Sequence, residues 1–418
     1  MKQRLLDWVL VMVIFVVAAP NTWAAEEQKQ PAEQKAAEPA EKPLGPGWLS
    51  LDCCVGPLDN AIANGKGALE KAIGISIAGF LDTGYTWSSN HPHSPANISG
   101  RYFDKDSNKV EFNDFHLVLD KPDKDWGVGF HISGDFGRAG ELLREATLWG
   151  KAFHREPSAE LREAYLTTTI PVGEGIGVKG GLFVTTLGTE ILPNPGAYND
   201  NISRSFLFNW AIPLRHLGVL FNYPFSKLIN ANFGVVTGWD DPHDNNHQPS
   251  FMGGVTLTPS EIVSFASNLI YGAEQRNGAP KRFTISNVLT IKPVDPLALY
   301  IEYTYGHESN VTPSGRDGIW QGLAGIASYN WTDRFNTALR GEVFNDRDGT
   351  RLGGEPFGTH KNATLAELTL TSSYKFTKML LGRAEVRQDW SDRNMFKRGS
   401  SSADSNQTTL AMQVIYTF

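Results

Sequence analysis

The chain has 418 residues and a formal net charge of −7, with 38 Lys and Arg against 45 Asp and Glu. That balance argues against a nucleic-acid partner, which a basic patch would serve. Two cysteines are too few for a disulfide scaffold. Beyond the first 24 residues no apolar run is long enough to span a bilayer as a helix, which excludes a helical membrane bundle. The mean hydropathy of −0.28 does not exclude a membrane barrel, because lipid-facing and lumen-facing residues cancel in such an average.

Residues 1–24 read as a secretory signal peptide. Lys2 and Arg4 form the charged start, Trp8 to Ala19 an apolar run, and Thr22-Trp23-Ala24 a cleavage region. Residues 25–47 hold Glu, Lys, Gln, Ala and Pro without an aromatic, and are expected to form a disordered periplasmic linker. Residues 48–72 are expected to hold a short helical segment and the cysteine pair. Leu58, Ile62, Leu69 and Ile73 are spaced toward one helix face. Cys53 and Cys54 are adjacent and bridge each other only through a strained ring, so no chemistry is assigned to them.

From residue 73 to 418 one pattern recurs: an alternating strand, a tight turn, another strand, a long polar loop. Short connections fall at 121–125, 171–175, 225–228, 258–261, 292–296, 331–334 and 376–378, several with Pro or Asp-Pro turn chemistry. Long ones fall at 88–106, 137–158, 188–213, 240–248, 274–280, 308–317, 345–361 and 391–405. Alternating short and long connections suit a barrel with tight turns on one side of a membrane and extended loops on the other. The expected fold is all-β: a transmembrane antiparallel β-barrel of about sixteen strands with a short N-terminal periplasmic helix.

Strand alternation supports this. In 379–390, Leu380, Gly382, Ala384, Val386, Gln388 and Trp390 oppose Arg383, Glu385, Arg387 and Asp389. Four charges in a row cannot face lipid, where a midplane Arg costs ~2–4 kcal/mol. In the final strand Leu410, Met412, Val414, Tyr416 and Phe418 share an apolar face expected to meet lipid, and Gln413 and Thr417 face inward. This strand is expected to pair with residues 73–87 and so remove the sheet edge.

A barrel of about sixteen strands is wide enough for an aqueous channel. Its expected lining is Lys179, Glu302, Arg340, Glu342, Glu367, Arg383, Glu385, Arg387 and Asp389, with Glu163 and Lys375 also inward. The signs nearly balance, which predicts weak ion selectivity. Tyr165, Phe183 and Tyr300 point inward too, as structural rows before sugar contacts. The loop 188–213 carries Ile202, Phe206 and Trp210 at helical spacing after Asn201, a candidate cap. It is expected to fold inward and place Glu190, Asp200 and Arg204 at a constriction.

At this point the chain resembles the β-barrel porin 2 family of Gram-negative outer-membrane proteins. The resemblance rests on Gly79-Phe80-Leu81-Asp82-Thr83-Gly84-Tyr85, Glu163-Ala164-Tyr165-Leu166, Gly180 to Thr185, Ser203-Arg204-Ser205, His216 to Val219, Arg340 to Asp346 and Arg383 to Asp389. It implies an outer-membrane location, a porin-like fold and passive transport of small hydrophilic solutes or ions, and carries over no binding residues. The closing strand also resembles C-terminal strands in which a terminal Phe is an assembly signal. The expected partners are therefore outer-membrane lipid, small hydrophilic solutes and the barrel-assembly machinery, with a homotrimer by analogy. No cofactor or metal is expected.

Two other functions compete. A non-conducting anchoring or adhesion barrel would use the tether or the long loops. An outer-membrane hydrolase would use His116, His131 or His216, but no nucleophile motif accompanies them. The stretch 241–247 offers metal-ligand types and reads first as a solvated loop tip.

Overall fold

The computed structural model describes residues 55–418 apart from 94–97, 124–126, 148–158, 243, 245, 276–279 and 353–361. The signal peptide, the linker, the cysteine pair and most of the 345–361 loop lie outside the described residues, as do His243 and Asn245 of the 241–247 stretch.

Helix α1 (Gly56–Ile73) leads into strands β1 (Ser76–Ser88), β2 (Val110–Lys121), β3 (Gly129–Phe136), helix α2 (Arg138–Ala146), β4 (Ala159–Ile170) and β5 (Ile176–Val184). Then follow β6 (Arg215–Pro224), β7 (Ile229–Val236), β8 (Ser250–Leu257), β9 (Val263–Ala273), β10 (Lys281–Val294) and β11 (Leu297–Glu308). The chain ends with β12 (Gly318–Asn330), β13 (Phe335–Asp346), β14 (Ala363–Lys375), β15 (Leu380–Ser391), a small hairpin β16 (Phe396–Arg398) and β17 (Ser402–Asp404), and β18 (Asn406–Thr417). Sixteen of these strands form one closed barrel, each antiparallel to its neighbours, with β18 sealed between β15 and β1. The seam pairs Phe80 with Thr417 and Ser88 with Thr409. Closure leaves every strand with two partners, which a bilayer demands because no water satisfies an open edge there.

The two faces separate as their chemistry requires. Leu410, Met412 and Val414 are 49 %, 69 % and 45 % exposed, whereas Thr409, Ala411 and Ile415 between them are buried. On β15 Val386 and Trp390 face out, and Arg383, Glu385, Arg387 and Asp389 face in and are buried. Phe418 continues the outer face, its ring stacked 6.2 Å from Phe115. Tyr416 departs from a purely lipid-facing role: its hydroxyl donates to Asp59 of α1 at 2.9 Å.

Helix α1 begins with Pro57 in its first turn and stops at Gly74, whose φ of 69° carries its amide back to the Glu70 carbonyl at 2.8 Å. The Glu70 side chain accepts the amide of Ile77 at 2.8 Å, tying the helix to the start of β1.

Two elements inside long connections lack a counterpart in the sequence reading. Helix α2 buries Leu142 and Leu143. The β16–β17 hairpin brings Met395 and Phe396 into the largest apolar cluster.

Candidate functional site

The connection between β5 and β6, residues 185–214, crosses the interior. The amide of Thr189 meets Glu302 of β11 at 2.8 Å, and the Pro193 carbonyl accepts from Arg162 of β4. The Tyr198 hydroxyl meets Thr417 of β18 at 2.6 Å, and the path then runs along β15, β14, β13 and β12 before rejoining β6. Most of this segment has no regular structure, so its buried amides and carbonyls need partners from elsewhere.

The charged wall provides them. Glu385 accepts the amides of Ile202 at 2.6 Å and Ser203 at 3.1 Å. Glu342 accepts those of Phe206 and Leu207, both at 2.6 Å. Arg383 donates to the carbonyls of Asn199 and Asp200 at 2.6 and 2.7 Å, and Arg387 to that of Arg204 at 2.6 Å. Arg340 joins three groups: Glu367 at 2.6 Å, Glu190 at 2.9 Å and the Ser203 carbonyl at 2.7 Å. Charge-assisted bonds of this kind are the strong ones in a low dielectric, and breaking one side of such a buried pair costs ~3–5 kcal/mol.

The apolar part of the segment packs higher up. Residues Leu207–Ala211 form a single π-helical turn against β12 and β11, with the indole N–H of Trp320 donating to the Ala211 carbonyl at 3.1 Å. Gly322 permits this approach: a Cβ there would lie 2.7 Å from Leu207 Cδ2. The expected helix is thus present but shorter, and Asn201 is not its cap. The Ser205 hydroxyl, just before the turn, accepts the Phe208 amide at 3.0 Å, while Asn201 donates to Thr371 at 2.8 Å.

Eight of the nine residues expected to line open water need correction. Glu302, Arg340, Glu342, Glu367, Arg383, Glu385, Arg387 and Asp389 point inward, but each is at most 8 % exposed. The 185–214 segment bonds to six of them, while Glu367 is enclosed by Arg340 and Arg387 and Asp389 by Arg387 and the buried Arg101 at 2.8 Å. Lys179 is half-buried with its ammonium 4.4 Å from the Tyr165 ring centroid. Of the three loop residues, Glu190 is spent on Arg340 and on the Ser205 amide at 2.8 Å, and Asp200 accepts from Ser328 at 3.1 Å. Arg204 differs: its Nε has no hydrogen-bond partner among the described residues, and its guanidinium lies 5.5 Å from the Phe208 ring.

Arg204 faces a cavity of ≈ 120 Å³ between the segment and β1–β3. Asp82, Asp104, Asp106, Glu111, Lys109 and Arg138 share its walls. Several neutralise one another, as in Arg138 to Asp106 at 2.5 Å and Lys109 to Glu111 at 2.7 Å. At its base Asp114, His116 and Asp135 bring donor atoms within 4.8 Å of one another. The Arg162 guanidinium contacts both carboxylates, 3.4 Å from Asp114, and supplies positive charge there itself. The sequence reading overlooked Asp114, Asp135 and Arg162. The signal was present in the charged inward positions of β2–β4, but β-bulges at Asp82/Thr83 and Ser133/Gly134 interrupt the simple alternation.

A closed sixteen-stranded barrel, apolar outside and charged inside, with a long connection laid across its interior, is the architecture of an outer-membrane porin. Residues 74–418 match the family described as "Putative beta-barrel porin-2, OmpL-like", and the chain belongs to that family. It is accordingly an outer-membrane protein. No curated protein matches the chain. Among solved structures it is similar to the outer-membrane channel DcaP of Acinetobacter baumannii, with 14 % identity, a TM-score of 0.55, and coverage of 82 % of this chain and 97 % of that one. An anion-selective porin from Comamonas acidovorans gives 14 %, 0.55, 82 % and 99 %. The trimer form of OmpT, an outer membrane protein of Vibrio cholerae, gives 12 %, 0.54, 82 % and 99 %. At these identities the likeness is one of fold.

Proposed function

We propose that the protein is a diffusion porin: a water-filled channel for small hydrophilic solutes and ions, narrowed by residues 185–214. The observation that carries this reading is that the segment is bonded mainly to β11–β15 and β18, with a further bond to Arg162 of β4. On β6, β7 and β9 the inward positions hold amides that pair with one another. Asn222 donates to Asn230 at 2.6 Å, and Asn232 to Asn268 at 3.2 Å. The passage then runs past these amides and the Arg204 cavity. Carboxylates slightly outnumber cations around that cavity, which supports a mild cation preference. Planar-bilayer recordings of the purified protein test this: steady ohmic conductance in KCl supports it, and a silent barrel favours the anchoring alternative.

We read the protein as non-catalytic. His116 is engaged by Asp135 at 2.8 Å, His131 by Asp120 at 3.1 Å, and His216 by the Gly238 carbonyl at 3.0 Å and Thr185 at 3.1 Å, an arrangement that suits wall packing.

A homotrimer is the assembly we infer. Its support is an outward polar pair near mid-strand, Ser267 with Asn287 at 2.9 Å, beside the Tyr303–Gln321 contact at 2.9 Å. Polar groups there are costly against lipid and suit a protein neighbour. Light scattering in detergent, giving the mass of one chain or of three, decides. The aromatic end of β18 is the element we assign to the assembly machinery. Removing Phe418 from the full chain should lower the fraction of folded, heat-modifiable protein in the membrane, and normal insertion would refute that role.

A further inference from the structure

A second cavity, ≈ 320 Å³, opens at the long-loop end of the barrel. Its volume falls within the ~300–1,000 Å³ of small-ligand pockets. The floor is Trp239, whose indole carries two guanidinium groups, Arg282 at 4.9 Å and Arg351 at 4.8 Å from the ring centroid. Glu308 holds Arg282 at 2.8 Å. Arg351 is different. Its Nε donates to the Trp210 carbonyl at 2.6 Å, and no carboxylate bonds its two terminal nitrogens among the described residues. Burial, with Arg282 adjacent, pulls this guanidinium down to about 10.

The acids enter from neighbouring strands: Asp240 and Asp241 after β7, Glu274 after β9. Asp240 Oδ1 accepts the amides of Leu214 at 2.7 Å and Arg215 at 3.0 Å, leaving Oδ2 without a hydrogen bond among the described residues. Both glutamate oxygens of Glu274 are taken, by the Trp239 amide and Ser250, each at 2.8 Å. Tyr102 and Trp210, edge to face at 6.0 Å, form an aromatic rim. Acceptors from β7 and β9 thus stand beside donors from β10 and the β13–β14 connection, and the cavity carries a lateral dipole.

We propose that this cavity is a solute-binding site for a zwitterion of the α-amino-acid type with an apolar side chain. The ligand carboxylate meets Arg351, its ammonium meets Asp240, and its side chain rests on Trp210 and Tyr102. A lone anion would face three carboxylates, a lone cation two arginines, and an uncharged sugar would gain nothing from separated charges. The assignment names a solute class for the channel and rests on the porin reading for its biological use.

The test is calorimetric titration of the full detergent-solubilised protein with L-phenylalanine, 3-phenylpropanoate, 2-phenylethylamine and glucose. Phenylalanine should bind, and each of the other three roughly tenfold more weakly or worse, the loss of one charge-assisted bond. Arg351→Gln and Asp240→Asn should each weaken phenylalanine binding by roughly tenfold. Heat-modifiable electrophoretic mobility verifies that each variant is folded, and Arg351→Lys, which keeps the charge, should recover part of the loss. Absent phenylalanine binding, equal binding of either truncated analogue or of glucose, or folded variants that bind as the parent does, overturns the site. KCl conductance is measured separately. A silent barrel that still binds phenylalanine fails the porin reading alone, and a conducting barrel that does not bind it fails the site alone.

Discussion

The two sides of the lumen solve the same problem with different chemistry. On β13–β15 the inward positions include Arg340, Glu342, Glu367, Arg383, Glu385, Arg387 and Asp389, all buried, each bonded to backbone of the 185–214 segment or to another charge. On β6, β7 and β9 the inward positions are amides, mostly half-buried, bonded to one another. Charge is therefore concentrated where an irregular backbone must be held without water, since ionised partners make the strongest hydrogen bonds. Neutral amides suffice where no backbone leans on the wall. In this protein a charged ladder marks an anchoring surface before it marks an ion path.

That contrast can be broken experimentally. The largest effect should follow Arg340→Ala, which leaves buried Glu190 without its cation and Glu367 with only Arg387 at 3.7 Å; a loss of ~3–5 kcal/mol is expected. Denaturant unfolding in detergent reads it, and bilayer recordings should show larger, noisier conductance as the segment loosens. Unchanged unfolding and conductance would mean that the clasp does not hold the segment. Glu342→Gln is smaller. It keeps one acceptor for the amides of Phe206 and Leu207 but loses the charge, so a cost of ~1–2 kcal/mol is expected in the same assay.

On the opposite side Asn232→Ala should cost no more than ~1 kcal/mol, because it removes a single neutral hydrogen bond, to Asn268 at 3.2 Å. An effect equal to that of Arg340→Ala would erase the distinction between the two sides. The smallest structural effect belongs to Arg204→Ala, whose Nε has no hydrogen-bond partner among the described residues. Stability should hold within ~0.5 kcal/mol. The reversal potential in a KCl gradient should move toward stronger cation preference, because a cation leaves the cavity wall.

Much of this was legible in the residues. Alternation in Leu380 to Trp390 and Leu410 to Phe418 determined which side chains face lipid, because a strand offers only two faces and a membrane tolerates charge on neither its lipid side nor its midplane. Turn chemistry at Pro171 and at Asp295-Pro296 marked strand ends, and the sixteen strands followed. Helix α1 was legible from its apolar spacing. The 138–146 helix and the 396–404 hairpin were not, because burial of Leu142, Leu143 and Phe396 against the rest of the fold stabilises them, a tertiary effect on short segments.

The sequence by itself determined the barrel, its inside and its outside, since these follow from a period of two and the cost of charge in hydrocarbon. Only the tertiary structure decided what the inward charges do. Whether Arg340 meets water or the Ser203 carbonyl depends on where a connection more than a hundred residues upstream comes to rest, and local periodicity carries no record of that. The same holds for Trp239, Arg282, Arg351 and Asp240. They come from three separate stretches of the sequence and become one cavity only when the barrel closes.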